Sequence, residues 1–371
     1  MLKVNIKVLM LNLETKIKVN SLIIDNIGPS LVSFFLDLDR EILYLTFNDV
    51  VNTTTLDPTK ITFQQSKIDL SQLDDANSYS LTGGFTNSSL GFVIDFVLSF
   101  QDINELKSRP FLANNINDTY VSVTAATIDD VNAINVFAIP PIEAIQSTQV
   151  YPDISPPKLE SFTLNMDSGI ILLTFSEVIH LGTLDITHFS LVPYPYSDSV
   201  FHVPLTGAIV FDFLYKRIFL IELSEIDLNR VKYSTTLATN LHNTYSIISG
   251  SLISDVYENP VSQIFIEDPL IVSVFVPDTT SPNLVLFTLD MDKGTLYLRF
   301  DEIVNVSTFD PAKIQLSNFN GIFVYTISDG EYVTEVIIFN LLRDIAIIPL
   351  CCAVGSHDVL IGLLVTRLVQ T

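Results

Sequence analysis

Ser176, Glu177 and His180 lie close together in the stretch LLTFSEVIHLGTLD, Leu172–Asp185. A serine, an acid and a histidine are the side chains of nucleophilic catalysis, in which a base activates the hydroxyl and a third group orients the base. The same stretch occurs twice more in the chain, and the three roles do not recur. The Ser176 position holds Asn48 and Asp301, and the His180 position holds Asn52 and Asn305. Only the acid persists, as Asp49, Glu177 and Glu302. A nucleophile without its base has no mechanism, so no catalytic residue is assigned and the stretch predicts a strand running into a turn.

Acids are the second group that could do chemistry. Asp130 and Asp255 stand near the ends of two long segments, Asp153 and Asp278 stand in the linkers that follow, and Glu177 is the recurring carboxylate. Together these five are candidate ligands for calcium, which takes carboxylate and carbonyl oxygens and could stiffen a joint. Further acids, Asp37, Asp39, Asp167, Asp290 and Asp292, precede or enter hairpin turns, and Asp129 and Glu258 flank the segment ends. Against a dedicated site, no DxDxDG loop occurs, and turns are ordinarily rich in Asp. The other histidines, His188, His202, His242 and His357, have no metal-ligand spacing, and no Gly-rich loop opens a helix to cradle phosphate. No cofactor other than calcium is expected. Four N-x-Ser/Thr sequons, at Asn52, Asn87, Asn117 and Asn305, would permit glycosylation in a secretory setting.

The bulk numbers frame these residues. The chain has 371 residues, 48% of them hydrophobic and 16% charged, with a formal net charge of −23. It can bury several cores, and it is far from the composition of a disordered chain. So acidic a balance excludes nucleic acid and anionic membrane as partners, because both need clustered Lys and Arg. The two cysteines, Cys351 and Cys352, are adjacent and cannot staple a fold.

The elements that would position the acids come from internal repetition. Segments beginning at Gly28, Pro156 and Ser281 align without gaps: Pro29, Pro157 and Pro282 coincide, as do Leu31, Leu159 and Leu284, Phe34, Phe162 and Phe287, Phe47, Phe175 and Phe300, and Asp57, Asp185 and Asp310. Later, LTGG at Leu81 answers LTGA at Leu205, and DINELK from Asp102 answers DLNRVK from Asp227. The domains expected are repeats over 27–153 and 154–278, a partial repeat over 279–345, the end of a preceding repeat over 1–26, and an apolar tail over 346–371 that matches nothing earlier. The chain therefore reads as a piece of a longer array. Within each repeat, apolar and polar residues alternate at period two, with turns between. Ser168-Gly169 and Lys293-Gly294 supply hairpin chemistry, which Arg40-Glu41 lacks. Strands are expected near 60–63, 92–100, 120–123 and 131–139, and helix only as a turn after Asp57 and Asp310. The fold class is all-β, with tandem Ig-like antiparallel β-sandwich domains arranged as beads on a string. The linkers YPDISPP and VPDTTSP are proline-rich and favour extended backbone.

A proline-rich start, an apolar strand and a strand ending in LTFSEVI (Leu173–Ile179), LTFNDVV (from Leu45) or LRFDEIV (from Leu298) resembles bacterial immunoglobulin-like repeats of large adhesin-type surface proteins. The DTTSP entry at Asp278 is similar to that family as well. The resemblance covers about 27–330. It implies an extracellular or cell-surface location and a non-enzymatic spacer with weak interaction surfaces, whose partners would be other surface proteins or glycans. Two alternatives stand beside it: a calcium-stiffened adhesion module binding a protein or glycan, and accessory repeats of an enzyme whose catalytic domain lies outside this chain. No secretion signal is legible at the N-terminus, where Asn5, Lys7, Asn12 and Glu14 break the apolar run. Ile345–Val365 has the length of a membrane span, but Pro349, His357 and Asp358 argue against one.

Overall fold

A computed structural model describes residues 20–21, 23–195, 202–211, 217–318, 324–327, 333–334, 345–349 and 361–365. Most of the segment 1–26, the cysteine pair and His357 lie outside the described residues. The chain divides into two compact bodies, Met1–Pro152 and Asp153–Thr371, so Asp153 belongs with the second.

The first body is a β-sandwich. One sheet has six strands: Leu31–Asp37 pairs antiparallel with Ile42–Asn52, which pairs with Gly91–Leu98, and Gly84–Phe85 lies at one edge. At the other edge, Val150–Tyr151 runs parallel to Leu31–Asp37. The opposing sheet has four strands centred on Ile61–Gln64 and Tyr120–Val123. Alternation along Ile42–Phe47 buries Leu43, Leu45 and Phe47 and leaves their neighbours half-exposed, as period two requires. Phe34 of one sheet meets Phe63 of the other edge-on, ring centroids 6.3 Å apart.

The second body repeats this plan. Leu159–Asn165, Ile170–Phe175 and Ile218–Leu223 form the centre of a five-stranded sheet, with Val274–Val276 parallel at its edge. Phe189–Val192 and Tyr245–Ile248 lead the facing sheet, and Phe162 crosses to Phe189 at 6.0 Å. The third copy starts alike, with Leu284–Asp290 against Thr295–Phe300. A bulge breaks the register at one place in all three first hairpins, at Leu31/Ser33, Leu159/Ser161 and Leu284/Leu286. Ile345–Pro349 then pairs with Thr295–Phe300, and Ile361–Val365 pairs with Ile314–Asn318. These pairings are those that Ile218–Leu223 and Tyr245–Ile248 make one repeat earlier. The sandwich plan thus runs on into a stretch whose sequence shows no repeat.

Three local readings are corrected. The hairpin turns do use Gly169 and Gly294 at φ +68° and +59°, but in the first copy Glu41 itself takes φ +62°, accepting the strain that glycine avoids. Helix is not confined to turns after Asp57 and Asp310. Those are single 3-10 turns, capped by the aspartate as expected, but α1 (Phe100–Lys107) and α2 (Glu225–Tyr233) are true helices. Ser99 and Ser224 cap them, each accepting the N–H of the Asp three residues on. Two turns are too short to display a helical period in sequence, and so the expected strand over 92–100 ends at Leu98. The strand expected over 131–139 is a loop with isolated bridges, preceded by the two-residue strand Asp129–Asp130.

Candidate functional site

The recurring position of Ser176 has a structural purpose. The Ser176 Oγ accepts the Lys158 N–H at 2.9 Å, and the backbone returns the bond from Ser176 N to Lys158 O at 2.8 Å. Asn48 Oδ1 accepts Ser30 N and Asp301 Oδ1 accepts Asn283 N in the same way. Serine, asparagine and aspartate are interchangeable here because each offers a short side-chain acceptor. His180 is exposed and precedes a 3-10 turn without capping it. At its counterparts, Asn52 and Asn305 do cap, accepting Thr54 N at 3.2 Å and Ser307 N at 3.1 Å. Capping therefore explains why two sequons recur at one place. Asn87 and Asn117 are exposed in loop and 3-10 turn.

The recurring acid belongs to a cluster. One carboxylate oxygen each of Asp153, Glu177 and Asp255 lies within 4.8 Å of the others. The strand Ile170–Phe175 ends just before Glu177, the linker brings Asp153, and the two-residue strand Ser254–Asp255, paired with Ile179–His180 ahead of a turn with Glu258 at φ +67°, brings Asp255. Three of the five sequence-derived calcium candidates thus converge. The first body holds the matching set, Asp25, Asp49 and Asp130, under the same 4.8 Å limit. Asp130 was a sequence candidate. Asp49 was recognised only as the counterpart of Glu177, and Asp25 was missed, although it precedes Asp153 by the same 128 positions that separate Pro29 from Pro157.

The two clusters differ in how their most buried acid is satisfied. Asp255 Oδ1 accepts the N–H groups of Tyr257 and Asn259, both at 2.8 Å, and its Oδ2 accepts Asn259 Nδ2 at 2.8 Å. Burial, with the Asp153 charge adding to it, still raises the Asp255 carboxyl above the ordinary aspartate value. Asp130 Oδ1 accepts Asn132 N and Ile134 N at 2.8 Å. Ile134 stands where Asn259 stands in the next repeat and has no side-chain donor, and Asp130 Oδ2 is buried with no hydrogen-bond partner among the described residues.

In the third repeat the equivalent acids hold a cation. Lys232 Nζ, from the end of α2, lies 2.9 Å from Asp278 Oδ2 and 2.6 Å from Glu302 Oε2. All three side chains are largely buried, at 10%, 27% and 15% exposure. Burial works to lower the Lys232 ammonium, yet the bonds and charges of Glu302 and Asp278 hold it above its usual value. Burial in turn raises Glu302, against the pull of Lys232. Beside this latch, Asp167 at the hairpin turn accepts Thr279 N at 2.6 Å, Thr279 Oγ1 at 2.9 Å and both Thr280 N and Oγ1 at 3.0 Å. Asp278 and Asp167, both weighed as calcium ligands, are therefore engaged by protein donors. The lysine that completes the latch was missed. Its signal was the recurrence of Lys107 and Lys232 at the end of DINELK and DLNRVK.

Two other constellations are structural. Asp102, wholly buried in α1, accepts Tyr79 Oη, Thr82 N, Thr82 Oγ1 and Gly83 N, and Asp227 of α2 holds Thr206 and Gly207 alike. This bond set is why the LTG and Asp-x-Asn motifs recur together. His188 Nδ1 pairs with Ser249 Oγ at 2.8 Å and its Nε2 lies 3.6 Å from Asp185 Oδ2. The sister repeats place Lys60 and Lys313 at the His188 position, and Lys60 pairs with Asp57 at 3.8 Å. The histidine thus fills a cation's place in a turn, and Asp185 is committed to capping Thr187. Among the described residues, no helix is long and apolar enough to cross a membrane.

No protein-family model and no curated protein matches the chain. Solved structures do align with it. One of the bacterial S-layer protein SbsC covers 92% of this chain and 53% of its own at 9% identity, with a TM-score of 0.22. A second, of SbsC domains 1 to 6, gives the same coverages at 10% identity and 0.20. A marsupial T cell receptor covers 89% of this chain and 98% of its own at 10% identity and 0.16. The chain spans about half the length of the S-layer chains it matches. At such scores these likenesses carry no argument about role. The all-β sandwich class rests on the strand pairings themselves.

Proposed function

We propose that the chain is a non-enzymatic structural segment of a cell-surface or extracellular protein, in which Ig-like sandwiches act as spacers held by built joints. The observation that carries this reading is the Lys232 latch together with the Asp167 clasp. A linker that merely tethered two domains would not commit a buried lysine, two acids and four further hydrogen bonds to its own seven residues. Desolvating an ammonium is costly unless it is paired, so these groups are placed where the chain gains from a fixed joint. The acidic balance and the scattered histidines support the absence of catalytic and nucleic-acid roles.

Hydrogen exchange of the full chain tests the joint. The linker peptide over 276–282 is expected to be protected, and Lys232→Met is expected to raise its exchange at least roughly tenfold by stranding two carboxylates. Unchanged exchange would refute the joint. Labelling of intact cells with a membrane-impermeant reagent tests the location, and a polypeptide confined to the cytosol would refute it.

A further inference from the structure

We propose that Asp25, Asp49 and Asp130 bind a calcium ion. Three observations converge on this cluster. Its three carboxylates present oxygens within 4.8 Å of one another. Oxygens that share one calcium ion at about 2.4 Å each stand no more than roughly 4.8 Å apart, and the three carboxylates meet that bound.

The second observation is the orphaned oxygen. Asp130 is 1% exposed, and its Oδ2 accepts no hydrogen bond among the described residues. A buried carboxylate oxygen without a donor costs free energy unless a cation supplies its bond. The second repeat shows the alternative remedy, since Asn259 Nδ2 donates to the matching oxygen of Asp255. Ile134 removes that remedy and leaves the acceptor available. The third observation is that this place in the fold takes positive charge: Asp278 and Glu302, the counterparts of Asp25 and Asp49, hold the Lys232 ammonium. Asp25 and Asp49 are half-buried, which leaves an entry path from solvent.

The proposal does not depend on the location or spacer role proposed above, and the two fail separately. Calorimetric titration of the full chain, freed of metal by chelation and held at physiological salt, uses CaCl2 as the probe. Wild-type protein is expected to bind calcium at this cluster and to melt at higher temperature when loaded. Asp130→Asn keeps the Oδ1 acceptor that folds the loop and removes the ligand charge, and it is expected to abolish one binding equivalent or weaken it at least roughly tenfold. Ile134→Asn supplies the amide found in the next repeat and is expected to weaken calcium while leaving the apo protein folded. Absence of calcium binding in the wild type overturns the proposal, and so does binding that survives both substitutions unchanged.

Discussion

The buried carboxylate of α1 gives a sharp test of the packing argument. Asp102 accepts four donors, of which the hydroxyls of Tyr79 and Thr82 can turn to other acceptors or to water. The amides of Thr82 and Gly83 cannot turn. Each loses a charge-assisted bond worth about 1.5 kcal/mol net when the carboxylate is removed. Asp102→Ala should therefore destabilise the first body by about 3 kcal/mol. Asp102→Asn keeps Oδ1 and its three donors and sets an NH2 against Gly83 N, so it should cost about half as much. Urea unfolding of the full chain measures the loss, with amide exchange within 78–123 assigning the transition to this body, since a chain of several domains need not unfold in one step. Equal effects of Ala and Asn, or a cost below about 0.5 kcal/mol for Ala, would refute the reasoning. Asp227→Ala, facing Thr206 and Gly207, should repeat the result in the second body.

Ser176→Asn should be tolerated within about 0.5 kcal/mol, because Asn48 already fills that place, whereas Ser176→Ala should cost up to about 1 kcal/mol by leaving Lys158 N without its acceptor; thermal melts compare them, and equal melting temperatures would count against the acceptor role. The Asp167 clasp should be pH-dependent. The backbone and hydroxyl donors of Thr279, with those of Thr280, hold the Asp167 carboxyl down to about 2 against an ordinary 3.8. A depressed carboxylate contributes fully above its unfolded value, and the contribution is lost as pH falls through its folded value. Protection of the Thr279 and Thr280 amides should hold above about pH 4 and fade toward pH 2, and Asp167→Asn should remove that dependence.

Much of the fold was legible in sequence because a sandwich writes itself twice, once in period-two alternation and once in repetition. Phe34, Phe162 and Phe287 marked the same strand three times, and the proline starts marked its entry. The helices escaped because two turns carry no period. Their signal was chemical: Ser99 with Asp102 and Ser224 with Asp227 spell a cap and its third residue. The third repeat escaped beyond Gly330 because backbone pairing constrains register more than identity, so Ile345–Pro349 and Ile361–Val365 take strand positions without resembling the strands they replace.

The site was legible in part for a related reason. Net attraction asks for charge at a place, not for one residue type. The linker acid and the strand-end acid recur at fixed offsets, and repetition exposes them as Asp25, Asp153 and Asp278 and as Asp49, Glu177 and Glu302. What answers the cluster differs by place: Asn259 relieves its third acid, Asp255, in the second repeat, and Lys232 crosses to the linker and strand-end acids Asp278 and Glu302 in the third. The asparagine leaves no column in an alignment of repeats, since Ile134 replaces it, and the lysine, which recurs as Lys107 and Lys232, stands so far from the acids in sequence that nothing there marks it as their partner. Either partner becomes visible only where the fold brings distant chain together, and where the absence of a donor at Ile134 can be set against its presence at Asn259. That contrast assigns the cation proposal to the first cluster. Its most buried acid keeps an acceptor that none of the described residues fills, and substituting the neighbour's asparagine at Ile134 asks whether a single amide can stand in for the ion.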